Sequence, residues 1–446
     1  AQTGISNDLH ENALKAATAK GSETTPYNLS NNTGGNTVEN TANCYVVNAP
    51  GYYSLPLVYG NAIKNAATNV SAYTSTATGT NILNPFINHA GNGITDPYIA
   101  NNNGCTPAKA ELVWQDAMNL VTDIKYNADS NGGNISFKVD RSSIRQGNAV
   151  IAIKDVSDAI LWSWHVWVTD EDINNVIEIT NHQNVKYNFM PVNLGQCDGN
   201  TITYEERSCK VKFIAGDQSK EITIKQLANV IATGSNAPFY QWGRKDPLYP
   251  SNGMGNTTKI WYDKEGIPST ANPMKGTFSA GNDCIKNCIL NPNLMHNRYN
   301  GDYTYYNLWS ADNKTTSAND NPVNKTIYDP CPVGFKLPAS NAFTGFTTTG
   351  ESVSSSTQVN GTWSSSEKGW YFYTNSEKTQ SIFFPALGYR SYSTMRPGSI
   401  GTQGCFWSAH PVAKGNNYYL RTSSVDVQPT YMVDRGFGYA LRPCQD

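Results

Sequence analysis

Apolar and polar residues alternate along several short stretches of this chain. Ile135, Phe137 and Val139 are interleaved with Ser136 and Lys138, a period of two that turns one strand face to a core and the other to water. Cys209, Val211 and Phe213 alternate with Lys210 and Lys212 in the same way, and Ile222 with Ile224 closes the series. Between them, Ile160, Trp162, Trp164, Val166 and Val168 alternate with Leu161, Ser163, His165 and Trp167. Bulk on both faces predicts a central strand, covered on both sides. Cys44, Tyr45, Val46 and Val47, then Ala49, Pro50 and Gly51, then residues 52–57 read as strand, turn, strand. Short strands separated by turn signals predict an antiparallel β-sandwich rather than a βαβ protein. Residues 61–110, rich in Asn, Thr and Gly, read as a long loop or short edge strands, so 41–228 accommodates one sandwich or two.

The remaining segments are less regular. Residues 1–40 form a polar leader in which 8–20 predict a short helix, with Leu9, Ala13 and Ala16 or Ala17 on one side. Residues 21–40 read as a linker, either a flexible tail or an arm that docks on a neighbouring subunit. Small residues at 229–237 mark a hinge, and 237–247 read as a helix start or turn. Residues 250–325 are mostly loop, with Trp261 and an aromatic cluster at 303–309. Loops this long in a compact domain are functional or disordered. The expected organisation is a leader or assembly arm at 1–40, a sandwich region at 41–228 and a final module at 229–446.

Composition sharpens the class. Only 15% of the 446 residues are charged and the net charge is -2, so the clustered cations that nucleic acid demands are missing. With 26 Tyr and 10 Trp among abundant turn formers, the profile is that of an extracellular all-β protein. No run approaches the roughly 18 apolar residues of a membrane helix. The chain begins Ala1-Gln2-Thr3 without Met, which raises the expectation of a removed leader.

Candidate chemistry is sparse. The acidic residues, Asp170-Glu171-Asp172 and Glu205-Glu206 among them, sit at strand ends and read as solvated turns. His10, His89, His165, His182, His296 and His410 lack ligand spacing, and the nine cysteines are scattered rather than paired as CxxC, which argues against zinc. No nucleophile elbow, P-loop or dinucleotide fingerprint occurs. The expectation is therefore no catalytic residue, no metal and no cofactor. Cys44 and Cys405 stand in apolar runs and read as small buried hydrophobes. Cys284–Cys288 reads as a local disulfide and Cys197–Cys209 as a hairpin clamp, while Cys105 is left without an assigned pairing.

Residues 41–47, 147–155 and 160–165 resemble the sandwich half of Bacteroidetes fimbrillin-like surface proteins. Tyr328-Asp329-Pro330-Cys331-Pro332-Val333-Gly334-Phe335-Lys336-Leu337-Pro338 and Gly436-Phe437-Gly438-Tyr439-Ala440-Leu441-Arg442-Pro443-Cys444 stand about a hundred residues apart. Between them lie Trp363-Ser364-Ser365-Ser366 and Phe406-Trp407-Ser408-Ala409, each followed by a Tyr-rich strand. That order resembles the "major paralogous" domain of Bacteroidetes surface proteins, related to C-type-lectin-like and formylglycine-generating-enzyme-like folds. The resemblance implies a C-type-lectin-like α+β module over 229–446, with Cys331 and Cys444 joined by a disulfide across its ends. The family's oxidases use a pair of reactive cysteines, whereas Cys405 stands alone here, and the motifs of calcium-dependent lectins are missing.

Paratope-like composition then points to a ligand face. Its candidates are Trp370, Tyr371 and Tyr373, Tyr389 and Tyr392, and Asn416, Asn417 and Tyr418. By resemblance the chain is a non-catalytic fimbrial subunit or fimbria-associated adhesin at the cell surface. Its expected partners are further copies, fimbrial subunits, or a surface glycan or protein. The alternatives are a surface lectin unconnected with fimbriae and an enzyme of the formylglycine-generating type.

Overall fold

The computed structural model describes residues 5–6, 8–276, 280–297, 305–413 and 415–446. Of the leader and the aromatic cluster expected from the sequence, residues 1–4, 7, 303 and 304 lie outside that set. The chain is mainly β, with two α-helices among the described residues, Leu9–Ala16 and Gly281–Leu290.

Strand Ile160–Val168 is buried at every position. It pairs antiparallel with Gly147–Lys154 on one edge and parallel with Cys44–Val47 on the other. A strand enclosed on both edges and both faces favours apolar residues, and its two polar members, Ser163 and His165, are hydrogen-bonded to Asp246 and to Asn148 and Tyr240. The parallel pair departs from the expected all-antiparallel pattern. Beyond Gly147–Lys154 the six-stranded sheet continues through Lys109–Gln115, Trp261–Tyr262 and Pro268–Ser269. A four-stranded sheet orders Tyr27–Asn28, Gly51–Pro56, Asn134–Val139 and Thr122–Asn127. Its Tyr53, Leu55, Ile135, Phe137 and Val139 share one buried cluster with Ile151, Ile153, Trp164 and Val166 of the larger sheet.

Toward the C-terminus lie two three-stranded antiparallel sheets. One is Gly361–Ser364, Gly369–Tyr373 and Ser381–Pro385; the other is Gly404–Pro411, Asn416–Thr422 and Val427–Asp434. Phe343, Phe346, Phe372, Phe384 and Phe406 fill a second buried cluster among them. The boundary expected at 229 is not a seam. The six-stranded sheet takes Trp261–Tyr262 from beyond it, and Ile177–Thr180 and Lys186–Phe189 share a sheet with Cys444–Gln445 and Phe335–Lys336. The largest core cluster likewise runs from Leu14 to Leu441.

Residues 8–40, read from sequence as a linker or arm, are built into this body. Asp8 caps the first helix by accepting from the Glu11 N–H, and that helix buries Leu14 completely. Tyr27–Asn28 adds a parallel strand to Gly51–Pro56. Between these, polar side chains fold the backbone locally: Asn28 Oδ1 accepts from the N–H and hydroxyl of Ser30, and Asn31 Oδ1 from the N–H groups of Thr33 and Gly35. Asx turns of this kind give an ordered loop the composition of a linker.

Buried arginines organise the irregular C-terminal segments. Arg390 donates to the carbonyls of Tyr249 and Met395, and Arg442 to those of Met190, Pro191 and Phe383. Arg244 donates to the carbonyls of Asn291, Pro292 and Leu294. Each rigid fork satisfies several loop carbonyls at once, so long loops stay ordered without sheet ladders.

The expected disulfides are not formed; every cysteine is a thiol. Lys336 does pair with Cys444 across the sheet. Cys444 lies near enough to help raise the Cys331 thiol's pKa, yet the two sulfurs are not bonded. Cys284 and Cys288 are one turn apart on a single helix, where the backbone holds the two side chains in a fixed relation set by helical pitch. Cys197 is buried and Cys209 exposed, which separates the supposed clamp.

Candidate functional site

The eight residues expected to bind ligand are spread over separate places. Trp370, Tyr371 and Tyr373 lie on one sheet, Tyr389 on a second and Asn416, Asn417 and Tyr418 on a third. Trp370 is core, donating its Nε1 to the Ser423 carbonyl, and Asn417 is fully buried and donates to the carbonyls of Ser408 and His410. The others are half-buried and engaged locally. Tyr371 donates to Glu367, the Tyr373 hydroxyl meets Thr362, and Tyr418 donates to the Thr316 carbonyl. Tyr389 and Tyr392 pack edge-on against Phe437. Strand alternation accounts for the two core residues: every second side chain of a half-covered strand turns inward.

A different surface stands out. Arg207–Ala215 and Gln218–Gln226 form an isolated two-stranded hairpin, paired from Arg207 with Gln226 to Ala215 with Gln218. Nine residues per strand extend about 30 Å. Cys209 faces Ile224 and Val211 faces Ile222 across the ladder, so these side chains share one face with Phe213. Among the described residues nothing covers that face: Phe213 is 57%, Ile224 53% and Ile222 43% exposed. The alternation of Cys209, Val211 and Phe213, read as a half-buried sandwich strand, thus marks a strand whose apolar face lacks a core. At its base, Thr201–Tyr204 pairs with Asn229–Ala232, and Ile5–Ser6 adds a third strand to the other edge of Thr201–Tyr204.

Two clusters of ionisable groups lie elsewhere in the fold. His10 lies 2.9 Å from Asp170 and 3.3 Å from Asp198. Burial works against its charge, but Asp170, Asp198 and Glu171 outweigh burial and hold the imidazole pKa above its usual value.

Inside the protein, Cys284, Cys288 and His296 bring two sulfurs and a ring nitrogen within 4.8 Å of one another. The helix Gly281–Leu290 presents both cysteines, and strand Leu294–His296 follows it directly. The Cys288 thiol is pulled well below the usual range by its hydrogen bond from Cys284, with a hydrogen bond to His296 and the Arg244 guanidinium also favouring the thiolate against the opposing effect of burial. Sequence reasoning missed this group because its ligand residues are spaced four and eight apart across a helix end that the pattern did not reveal. Only the four-residue interval of Cys284 and Cys288, which stacks side chains on a helix, signalled it.

His165 is a satisfied core residue, as expected: Asn148 Oδ1 and the Tyr240 hydroxyl lie 2.9 and 3.2 Å from its ring nitrogens, and burial lowers its pKa to about 3. Burial also lowers His410 to about 4. Compared with family models, curated proteins and solved structures, the chain finds no match in any of the three.

Proposed function

We propose that this chain is a non-catalytic extracellular surface protein, a fimbrial subunit or fimbria-associated adhesin that works by attachment and assembly. The observation that carries the reading is the uncovered apolar face of the hairpin Arg207–Ala215/Gln218–Gln226. A lone hairpin is marginal in water, and an exposed apolar strand face is a liability unless something covers it. The partner that fits is another subunit of a surface assembly, docking on that face or adding a strand to the ribbon edge. Among the described residues the two hairpin strands pair only with each other, which leaves both outer edges of the ribbon open to an added strand. Within this reading, the two sheets that share the large core correspond to a β-sandwich. The Phe-rich region with its two three-stranded sheets corresponds to a lectin-like module.

The test compares wild type with the triple variant Phe213→Ser, Ile222→Ser and Ile224→Ser by light scattering and electron microscopy. Wild type is expected to form oligomers or filaments and the variant to stay monomeric with an unchanged Tm. A wild type that remains monomeric at high concentration and does not adhere to bacterial or host surfaces would overturn the proposal.

A further inference from the structure

We infer that Cys284, Cys288 and His296 form a zinc site. Three donors of the types zinc prefers, two sulfurs and an imidazole nitrogen, converge within 4.8 Å. Zinc bound at about 2.3 Å to sulfur and 2.0 Å to nitrogen places its ligand atoms roughly 3.5 Å apart, within reach of small side-chain rotations. The helix supplies the cysteines one turn apart, so both face the strand that carries His296.

His296 points most directly to a ligand. Its residue is 2% exposed, and among the described residues its ring nitrogens find no oxygen or nitrogen partner; the group they face is the Cys288 thiol. Its backbone, by contrast, is fully held. The His296 N–H donates to Gln241 Oε1 at 2.9 Å, and Gln241 Nε2 donates back to the His296 carbonyl at 2.9 Å. Arg244 fixes the turn between helix and histidine by donating to the carbonyls of Asn291, Pro292 and Leu294. The surroundings therefore hold the imidazole in place with its ring turned to the two sulfurs. A buried imidazole whose neighbours are thiols, weak hydrogen-bonding groups, is poorly satisfied, and a metal bond removes that penalty.

The chemistry also balances. Zinc is held by two thiolates, so any proton that Cys284 or Cys288 still carries passes to solvent on binding, and the two negative sulfurs neutralise the dication. A cavity of about 30 Å³ reaches Cys284 and Cys288 beside Trp242 and Tyr328. His296 does not line that cavity; its volume holds one water molecule on the side of the two sulfurs, where a fourth ligand would complete a tetrahedron. Thiolate ligands argue against calcium or magnesium, which take oxygen.

The experiment uses the full chain, reduced, stripped with a chelator and titrated with cobalt(II) as a spectroscopic stand-in for zinc. The expected result is a thiolate-to-cobalt charge-transfer band that saturates at one equivalent and is abolished by one equivalent of zinc. Absence of that band in the folded, reduced wild type would overturn the site, as would a Cys284–Cys288 disulfide that survives mild reduction. The variants Cys288→Ser and His296→Ala are each expected to weaken cobalt binding at least tenfold, and His296→Cys to restore it with a more intense band. Equal binding by wild type and both loss variants would also overturn the assignment.

Discussion

Asn43 and Asp329, 286 residues apart, are joined in the core: the Asn43 side-chain amide donates to the Asp329 carbonyl at 2.8 Å and to the Ile327 carbonyl at 2.6 Å. Asn43 Oδ1 in turn accepts from Trp162 Nε1 at 3.0 Å. One amide thus ties the parallel edge strand, the central Trp-rich strand and the Tyr328-Asp329-Pro330-Cys331 segment together. Asn43→Ala would leave two carbonyls and an indole N–H buried without partners. Its expected effect is a loss on the order of 3 kcal/mol, read from urea denaturation. Because the same core cluster spans both halves, the transition should stay single, with tryptophan fluorescence and far-UV circular dichroism coinciding.

How much of this was legible follows from the physics of each signal. The strands at 134–139 and 160–168 were plain, because period-two patterning is imposed locally by which face meets the core. Residues 8–40 misled, since Asn and Ser hydrogen-bonding their own turns have the same composition as Asn and Ser in water. The Cys284, Cys288 and His296 cluster depends on a helix end and a turn pinned by Arg244, a contact some 50 residues distant in sequence that no local pattern encodes. The Cys209-Val211-Phe213 alternation specified a strand correctly but not what covers it.

His10 couples the first helix to pH. Its folded pKa is raised above the unfolded value of about 6.5, so its contribution is complete below that value and is lost as pH rises through the folded pKa. Asp170, Glu171 and Asp198 face it from the loops beside the helix. Amide exchange in Leu9–Ala16 is expected to quicken across that window, beyond the intrinsic dependence, and His10→Gln to remove the change. A pH-independent protection factor in wild type would contradict the coupling.

Native thiol reactivity should separate the cysteines. Cys209 is exposed on the hairpin, whereas Cys44, Cys331, Cys405 and Cys444 are buried and burial pushes each of those thiols up. A water-soluble disulfide reagent should label Cys209 within the first phase of reaction, and the four buried thiols only after unfolding. Peptide mapping by mass spectrometry reads the order. Under denaturing, non-reducing conditions, Cys331 and Cys444 should both label, and failure of that pair to react would restore the disulfide between them.

Deletion of residues 8–40 and deletion of residues 207–226 should behave in opposite ways. Residues 8–40 contribute the fully buried Leu14 and a strand paired to Gly51–Pro56, and burying one leucine alone is worth about 2–5 kcal/mol against truncation to alanine. Removing them uncovers the Tyr53 edge of the core, so a steep fall in Tm or insoluble protein is expected. Residues 207–226 bury almost nothing, since nearly every position of the hairpin is exposed. Replacing them with a short Gly-Ser turn should leave Tm within a few degrees of wild type, while abolishing association of the folded chain. Calorimetry and light scattering on the two deletions distinguish the part that holds the fold from the part that meets a partner. A hairpin deletion that melts far below wild type would mean that this ribbon stabilises the body it springs from.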